Sequence, residues 1–229
     1  MHDEANSGSK SQIMGGMFGL PEKLEASGTS PPFPADRGIC LANGRCGLVL
    51  LIELLSPPRV WLPAYLCPSM IAAARKTGVP LRFFEVDYDL RVSPGALSKV
   101  GQGDLVDMID YFGFPTDRAV MNQVRESGAW LLEDACQAML TSGVGSTADF
   151  MLFTPRKFMG IPDGGILISN RTEIDFRDVD LQPPPTHWWM MTLSAAVLRR
   201  EFDLYGGDRR WFEQYTAYWK KTCRWGVMR

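Results

Sequence analysis

The sequence has few of the residues that build metal sites and disulfide frameworks. Two histidines and five cysteines occur in 229 residues, and no two cysteines have the CxxC spacing. Zinc sites need clusters of such ligands, and small disulfide scaffolds need an even, dense set of cysteines. We therefore predict no metal site, and we interpret the cysteines as buried thiols.

An excess of positive charge is also absent. The chain carries 24 Lys and Arg against 26 Asp and Glu, for a net charge of -2 at pH 7, and no run of basic residues stands out. Without such a run, nothing in the sequence is suited to the phosphates of a nucleic acid or to an anionic membrane surface. Neither a nucleic acid nor a membrane is predicted as a partner.

Targeting and dinucleotide-binding motifs are missing too. Residues 1–12 are acidic and rich in Ser and Gly where a secretory signal needs a basic start and an apolar stretch, and no window approaches the ~18 apolar residues of a membrane span. No GxGxxG motif follows the first predicted strand, which disfavours a dinucleotide-binding protein. These absences predict a cytoplasmic protein with a frayed N-terminal tail.

The chain does have ample apolar material for a core, since hydrophobic residues make up 45% of it. Strands are predicted at 59–63, 81–86, 105–111, 129–133, 150–153 and 165–169, and helices at 46–55, 68–77, 94–100 and 117–127. This alternation predicts an α/β fold with a mainly parallel sheet that is covered by helices on both faces. Such sheets bind ligands at the carboxyl ends of their strands.

The composition divides the chain into three predicted regions. Residues 1–37, with clusters of Gly, Pro and Ser, are interpreted as a flexible N-terminal arm, residues 38–182 as the α/β domain, and residues 183–229 as two helices after a proline-rich linker. Five of the seven tryptophans lie in the last region. That aromatic surface must be covered, either by the sheet domain or by a partner.

Two residues suggest chemistry at the expected ligand edge. Asp134 comes at the end of an apolar strand, and Lys157 follows the next predicted strand. A lysine and a carboxylate suit pyridoxal 5'-phosphate, because the amine bonds the cofactor aldehyde and the carboxylate keeps the pyridine nitrogen protonated. Taken alone, such a pair more often forms a surface salt bridge.

A glycine-flanked segment, Asn43-Gly44-Arg45-Cys46-Gly47, leads into the first predicted helix. Backbone N–H groups at the start of a helix bind anions, so the phosphate of a cofactor could dock there. By itself such a segment is usually just a turn.

Five segments then follow one another in a characteristic order: NGRCGL, VWLPAYLCPSMIAAARKTGVPLRFFEVDYDL, MIDYFGFPTD, LLEDACQAM and DFMLFTPRKFMGIPDGGILISN. From about residue 38 to residue 170, this order resembles the DegT/DnrJ/EryC1/StrS aminotransferases. The resemblance implies the three-layer α/β/α large domain of pyridoxal-phosphate-dependent transferases, of the aspartate aminotransferase-like fold type I. It also implies transfer of an amino group from a donor such as glutamate to a nucleotide-linked keto-sugar or related ketone.

The resemblance assigns roles around the cofactor ring. Lys157 matches the lysine that forms the Schiff base and moves protons, and Asp134 matches the acid that pairs with the pyridine nitrogen. Gln137 matches the glutamine beside the phenolic oxygen. Tyr65 is the substitute for the aromatic residue that stacks on the ring, where direct alignment offers Cys67.

The resemblance also assigns the phosphate site. Gly44, Arg45 and Cys46 occupy the phosphate-loop positions, and Thr154 stands in for a serine hydroxyl that reaches the same group. The family usually has small Ser or Thr residues where this chain has Arg45 and Cys46, so a charge-assisted phosphate contact is one interpretation and a divergent subgroup is another.

Members of this family continue into a C-terminal small domain, which we do not expect within these 229 residues. Because the family builds its active sites at a two-fold interface, a homodimer is predicted. Two functions stay open: an aminotransferase with a small-molecule amino donor and keto acceptor, and a truncated, catalytically inactive remnant that acts as a binding or partner protein. The shared lysine would also permit dehydration or isomerisation, since substrate contacts decide the reaction.

Overall fold

A seven-stranded sheet and five α-helices make up the part of the chain that the computed structural model describes, residues 17–23, 34–181 and 183–222. The strands are β1 (Gly38–Leu41), β2 (Val60–Pro63), β3 (Leu81–Phe84), β4 (Leu105–Ile109), β5 (Trp130–Asp134), β6 (Phe150–Phe153) and β7 (Gly165–Ser169). The helices are α1 (Gly44–Leu55), α2 (Pro68–Lys76), α3 (Arg118–Glu126), α4 (Thr186–Tyr205) and α5 (Arg210–Thr222).

The strands lie in the order β1-β7-β6-β5-β4-β2-β3. The five strands from β6 to β3 pair in parallel, and β7 runs antiparallel to both of its neighbours. The parallel strands therefore end at one common edge, where α/β sheets bind their ligands. The predicted mainly parallel sheet is confirmed.

Helices cover both faces of the sheet, as the sequence predicts. On one face, Leu48 and Leu51 of α1 pack with Leu132 of β5 in a cluster of buried side chains. On the other face, Val120 and Val124 of α3 are buried in a second cluster that includes other strand residues. Successive side chains of a strand point to opposite faces of the sheet, so the sheet contributes to a core on each face, and the fold has three layers. Each fully buried side chain of this kind stabilises the fold by about 1.5–3 kcal/mol.

All six predicted strands and three of the four predicted helices of the α/β region are present, with ends within two residues of the prediction. The helix predicted at 94–100 is wrong, because only a 3-10 turn, Pro94–Leu97, forms there. A proline and a glycine open this segment, and Leu97 is the buried residue of its single turn. Strand β1 was not predicted, since four residues at an antiparallel edge carry too little pattern to be recognised.

The last two described helices, α4 and α5, form a hairpin that packs against residues 17–20. Met17 is buried in a cluster with Ala195, Ala196 and Trp211. Two hydrogen bonds fix this contact, from Leu20 N to the Ala196 carbonyl at 3.1 Å and from Arg199 Nη1 to the Met17 carbonyl at 2.8 Å. Part of the aromatic surface of the C-terminal region is thus covered within the chain.

The predicted regional boundaries remain a prediction. Much of the arm assigned to residues 1–37 lies outside the described residues, as do residues 223–229. Among the residues described, we find no helix with the length and apolar character required to cross a lipid bilayer.

Candidate active site

A cavity of about 350 Å³ opens at the carboxyl edge of the parallel strands. Its walls come from the turn before α1, the segment after β2, the ends of β4 and β5, and the turn after β6. The lining residues are Asn43, Gly44, Arg45, Tyr65, Leu66, Cys67, Ser69, Met70, Ile109, Tyr111, Phe112, Asp134, Cys136, Gln137, Thr154, Arg156 and Lys157. The volume is in the range of small-molecule sites.

Asp134 forms the buried acidic wall of the cavity. It is the last residue of β5, where it pairs in register with Ile109 of β4, and it is 6% exposed. Its Oδ1 accepts a hydrogen bond from the backbone N–H of Cys136 at 2.9 Å. This bond fixes the carboxyl group at the point where the chain leaves the sheet, with the cavity in front of it.

A second carboxyl group, that of Asp107, lies near Asp134. Asp107 is completely buried in β4, two residues before Ile109 and hence on the same face of the sheet as Asp134. Among the described residues, neither of its carboxyl oxygens has a hydrogen-bond partner. Burial, and then the charge of Asp134, raise the pKa of Asp107 well above its ordinary value.

The opposite wall is the N-terminus of α1. The side chain of Asn43 caps this helix by accepting from the backbone N–H of Cys46 at 3.2 Å, and Arg45 Nε donates to the same oxygen at 3.3 Å. Arg45 is only 7% exposed, so its positive charge adds to the helix dipole inside the protein. This end of the cavity is suited to an anion.

Glycines let the backbone close tightly around this end. A Cβ atom on Gly165 would lie 2.4 Å from the carbonyl carbon of Asn43, and one on Gly44 would lie 2.8 Å from Thr154 Oγ1. Thr154 is buried, and its hydroxyl lies 2.8 Å from the Cys136 thiol. A hydroxyl, a thiol and the helix N-terminus therefore meet without an intervening side chain.

Lys157 ends the 3-10 turn Pro155–Lys157 that follows β6, and its backbone N–H donates to the Thr154 carbonyl at 3.0 Å. It is exposed, whereas Asp134 is buried, so its amine is free to reach into the cavity from the rim. The charge of Lys157 also acts on the buried thiol of Cys136: burial raises the pKa of this thiol, and Lys157 opposes that increase.

Two aromatic residues and an amide complete the rim. The Tyr111 hydroxyl donates to the Tyr65 carbonyl, and the two ring centroids are 5.6 Å apart. Burial, with the nearby carboxylates, raises the pKa of Tyr111, so the phenol stays neutral. Gln137 Oε1 accepts from the backbone N–H of Phe112 at 2.9 Å, which ties the segment after β5 to the segment after β4.

Seven of the eight residues that the sequence singled out line this cavity: Lys157, Asp134, Gln137, Gly44, Arg45, Thr154 and Tyr65. Cys46 is not among the lining residues. It lies in the first turn of α1, where its backbone N–H donates to Asn43 Oδ1. Tyr65 is 56% exposed and lies at the mouth.

Sequence reasoning missed several lining residues, notably Tyr111, Cys136 and Arg156. Asn43 was recognised only as the first residue of the glycine-flanked segment, although an asparagine directly before a helix is a strong N-cap signal. The other three are placed by tertiary contacts.

No protein-family model matches the chain, and no curated protein matches it. Among solved structures, Helicobacter pylori PseC, an aminotransferase involved in the biosynthesis of pseudoaminic acid, superimposes with a TM-score of 0.54 at 16% identity over 65% of this chain and 45% of that one. The sugar aminotransferase CalS13 from Micromonospora echinospora gives 0.52 at 17% identity over 76% and 48%.

NtdA from Bacillus subtilis, with bound cofactor PMP, gives a TM-score of 0.51 at 13% identity over 72% of this chain and 36% of that one. At these identities the similarity establishes the fold alone: the mainly parallel sheet with helices on both faces is shared with part of each of these aminotransferases. The chain spans less than half the length of each of these three proteins.

Proposed function

We propose that this chain binds pyridoxal 5'-phosphate and transfers an amino group from a donor such as glutamate to a keto-sugar or related ketone. The observation that carries the proposal is the convergence of Lys157, Asp134 and the α1 N-terminus on one cavity. These residues come from three separate segments, and each supplies a group that the cofactor requires.

The residues present fit the cofactor at both ends. The α1 N-terminus, with Gly44, Arg45 and the Thr154 hydroxyl, would hold the phosphate, because N–H groups, a guanidinium and a hydroxyl all bind oxyanions. Asp134, at the other wall, would accept a hydrogen bond from the protonated ring nitrogen. Cys46 would contribute to this site only through its place in the first helical turn.

When bound, pyridoxal phosphate supplies an aldehyde that bonds amines and a ring that withdraws electrons from the attached carbon. Lys157 would be the covalent anchor, and its amine, once released, would move a proton at the substrate carbon. Asp134 would keep the ring cationic, and Gln137 would lie beside the phenolic oxygen. Tyr65 would cover the ring from the mouth of the cavity.

The wider setting is part of the same proposal. A nucleotide-linked sugar as acceptor and a homodimer that completes the site follow from the resemblance that the sequence shows. The cytoplasmic location predicted from the sequence belongs to the same proposal. Among the described residues, Tyr65, Phe112 and Phe114 expose large aromatic surfaces, which a second subunit at the mouth of the cavity would cover.

The visible absorption spectrum of the protein mixed with pyridoxal phosphate tests the proposal. We expect a visible band in the parent that is lost in Lys157→Ala and kept in the control Lys99→Ala, which removes an exposed lysine outside the cavity. Addition of glutamate should then convert the cofactor to pyridoxamine phosphate in the parent. A chain that forms the band but leaves glutamate untouched would be the inactive remnant, and a chain without the band would not use this cofactor at all.

A further inference from the structure

Two further carboxyl groups lie buried on the face of the sheet opposite to Asp134. Glu133 is a β5 residue that is 3% exposed, and Asp110 directly follows β4 and is completely buried. Met108 of β4 pairs in register with Glu133, and Asp110 extends that ladder by donating its N–H to the Asp134 carbonyl at 3.1 Å. Alternate residues of a strand share a face, so Asp110 and Glu133 lie on the same side of the sheet.

Each of these carboxyl groups holds a different loop through a backbone N–H. Asp110 Oδ1 accepts from Thr116 N at 2.8 Å, which closes residues 111–115 into the mouth segment of the cavity. Glu133 Oε2 accepts from Gly145 N at 2.8 Å, in the loop between β5 and β6. The two carboxyl groups therefore join the mouth segment to that loop.

The mouth segment is part of the cavity wall, since Tyr111 and Phe112 line it. Phe112 has a φ of 53°, in the left-handed region that a bulky residue adopts only when contacts hold it there. Two hydrogen bonds help to do so: Phe112 N donates to Gln137 Oε1 at 2.9 Å, and Thr141 Oγ1 donates to the Gly113 carbonyl at 3.0 Å. The shape of this wall thus depends on the contacts around the segment.

The two carboxyl groups act on each other. Burial, then the charge of Asp110 and a hydrogen bond to it, raise the pKa of Glu133 to about 8, while a backbone N–H and the charge of Arg118 on α3 oppose the increase. Burial also raises the pKa of Asp110, with a small addition from Asp134, against hydrogen bonds that include one from Glu133. Among the described residues, Asp110 Oδ2 accepts from no backbone or hydroxyl donor, so it is the oxygen left for a proton on Glu133.

We propose that Asp110 and Glu133 are a positioning pair: one proton shared between them fixes the mouth segment of the cavity, and loss of that proton loosens it. Two ionised carboxylates in contact repel each other in a buried site, so the closed segment favours the singly protonated pair. When the segment opens, Glu133 meets water and releases its proton at the ordinary pKa of about 4.3. The proposal goes beyond the proposed function, because it concerns the cavity wall and needs no ligand.

Amide hydrogen exchange on the ligand-free protein tests the proposal. The closed segment binds one more proton than the open one, so the protection of the Thr116 and Gly145 amides should fall by about 30- to 100-fold between pH 6 and pH 8 and stay constant above it. Glu133→Gln keeps an oxygen for the Gly145 N–H and an N–H for Asp110 but does not titrate, so its protection should not change with pH. Glu126→Gln is the matched control, because it removes an exposed carboxylate at the end of α3 and should behave like the parent.

Two further measurements concern the proton itself. In the infrared spectrum, the C=O stretch of a protonated carboxyl group is separate from the carboxylate bands. The parent should lose part of this absorption with a midpoint near pH 8, a step that Glu133→Gln should lack. Asp110→Asn keeps an oxygen for the Thr116 N–H and removes the charge beside Glu133, so it should move both the infrared step and the fall in protection to lower pH.

Constant protection in the parent from pH 6 to pH 8, an equal fall in Glu133→Gln, or a parent without the infrared step would each overturn the proposal. Equal protection of the mouth segment and of the α1 amides would do the same, since the segment would then open only when the whole chain unfolds. If the visible band of the cofactor fails to appear, the proposed function fails, while hydrogen exchange still decides on the carboxyl pair.

Discussion

Replacing Asp107 should make the protein more resistant to rising pH. Asp107 is completely buried, and neither of its oxygens has a hydrogen-bond partner among the described residues. Burial, reinforced by Asp134, raises its pKa well above the ordinary value, so the folded protein keeps the carboxyl group protonated where the unfolded chain has lost the proton. Above the unfolded pKa of about 3.9, the folded state therefore binds the extra proton, and stability falls as pH rises.

The size of the effect follows from the proton count. One proton bound only in the folded state lowers the free energy of unfolding by about 1.4 kcal/mol per pH unit, so the most that one carboxyl group can contribute between pH 5 and pH 7 is about 2.7 kcal/mol. For a protein of this length, that free energy corresponds to roughly 5–11 °C in melting temperature. Asp107→Asn has the same shape and does not titrate, so the parent should lose stability relative to the variant as pH rises, by no more than this amount over the interval.

Denaturant unfolding at pH 5, 6 and 7 measures this difference. The slope against pH is the readout, because a buried Asn amide carries its own cost of about 1–3 kcal/mol that does not depend on pH. Asp107→Leu removes the polar group altogether and should show the same slope at higher stability, and exposed Asp89→Asn reports the effect of losing one surface charge. A parent-to-variant difference that stays constant from pH 5 to pH 7 would refute the reasoning, since Asp107 would then be ionised or partnered in the folded state.

Three further predictions concern other parts of the chain. Burial, and then the charge of Asp110, raise the pKa of Glu133 to about 8. The free energy of unfolding of the parent, relative to that of Glu133→Gln, should therefore fall between about pH 5 and pH 8 and stay constant above pH 8. Denaturant unfolding across this range measures the difference. Gly165→Ala should lower the free energy of unfolding by about 1–3 kcal/mol and weaken cofactor binding, because the added Cβ would lie 2.4 Å from the Asn43 carbonyl carbon. Gly95→Ala is the control: its added Cβ would lie 3.7 Å from the nearest atom, so neither stability nor cofactor binding should change by as much. Light scattering at micromolar concentration should give twice the mass of one chain, and a clean monomer would count against a site completed by a second subunit.

The parallel core of the fold could be predicted because each strand is a short apolar run bounded by polar breaks. Buried strands such as β5 and β6 have such a pattern, and their ends were placed within one residue. The segment at 94–100 failed because its apolar spacing fits a helix, while Pro94 and Gly95 allow only one 3-10 turn. Strand β1 was not predicted, because it has four residues and, among the described strands, β7 is its single partner.

The sequence could predict those parts of the candidate site whose residues end or directly follow predicted strands. Asp134 ends β5, and Thr154 follows β6, so topology alone brings them to one edge of the sheet. The sequence could not predict the surroundings of Arg156, because its partner Tyr215 is 59 residues away on a helix outside the sheet. Nothing local in the sequence links those two residues.

Asp107 shows the same limit in the core. An acid within the apolar strand segment Leu105–Ile109 is visible in the sequence, but both faces of a parallel strand are covered, so the pattern does not tell which helix layer the acid meets. The register decides it: Ile109 pairs with Asp134, and Asp107, two residues earlier, points to the same face one step deeper in the core. Burial raises the pKa of Asp107, and the charge of Asp134, which the pairing of β4 with β5 brings close, adds to that increase.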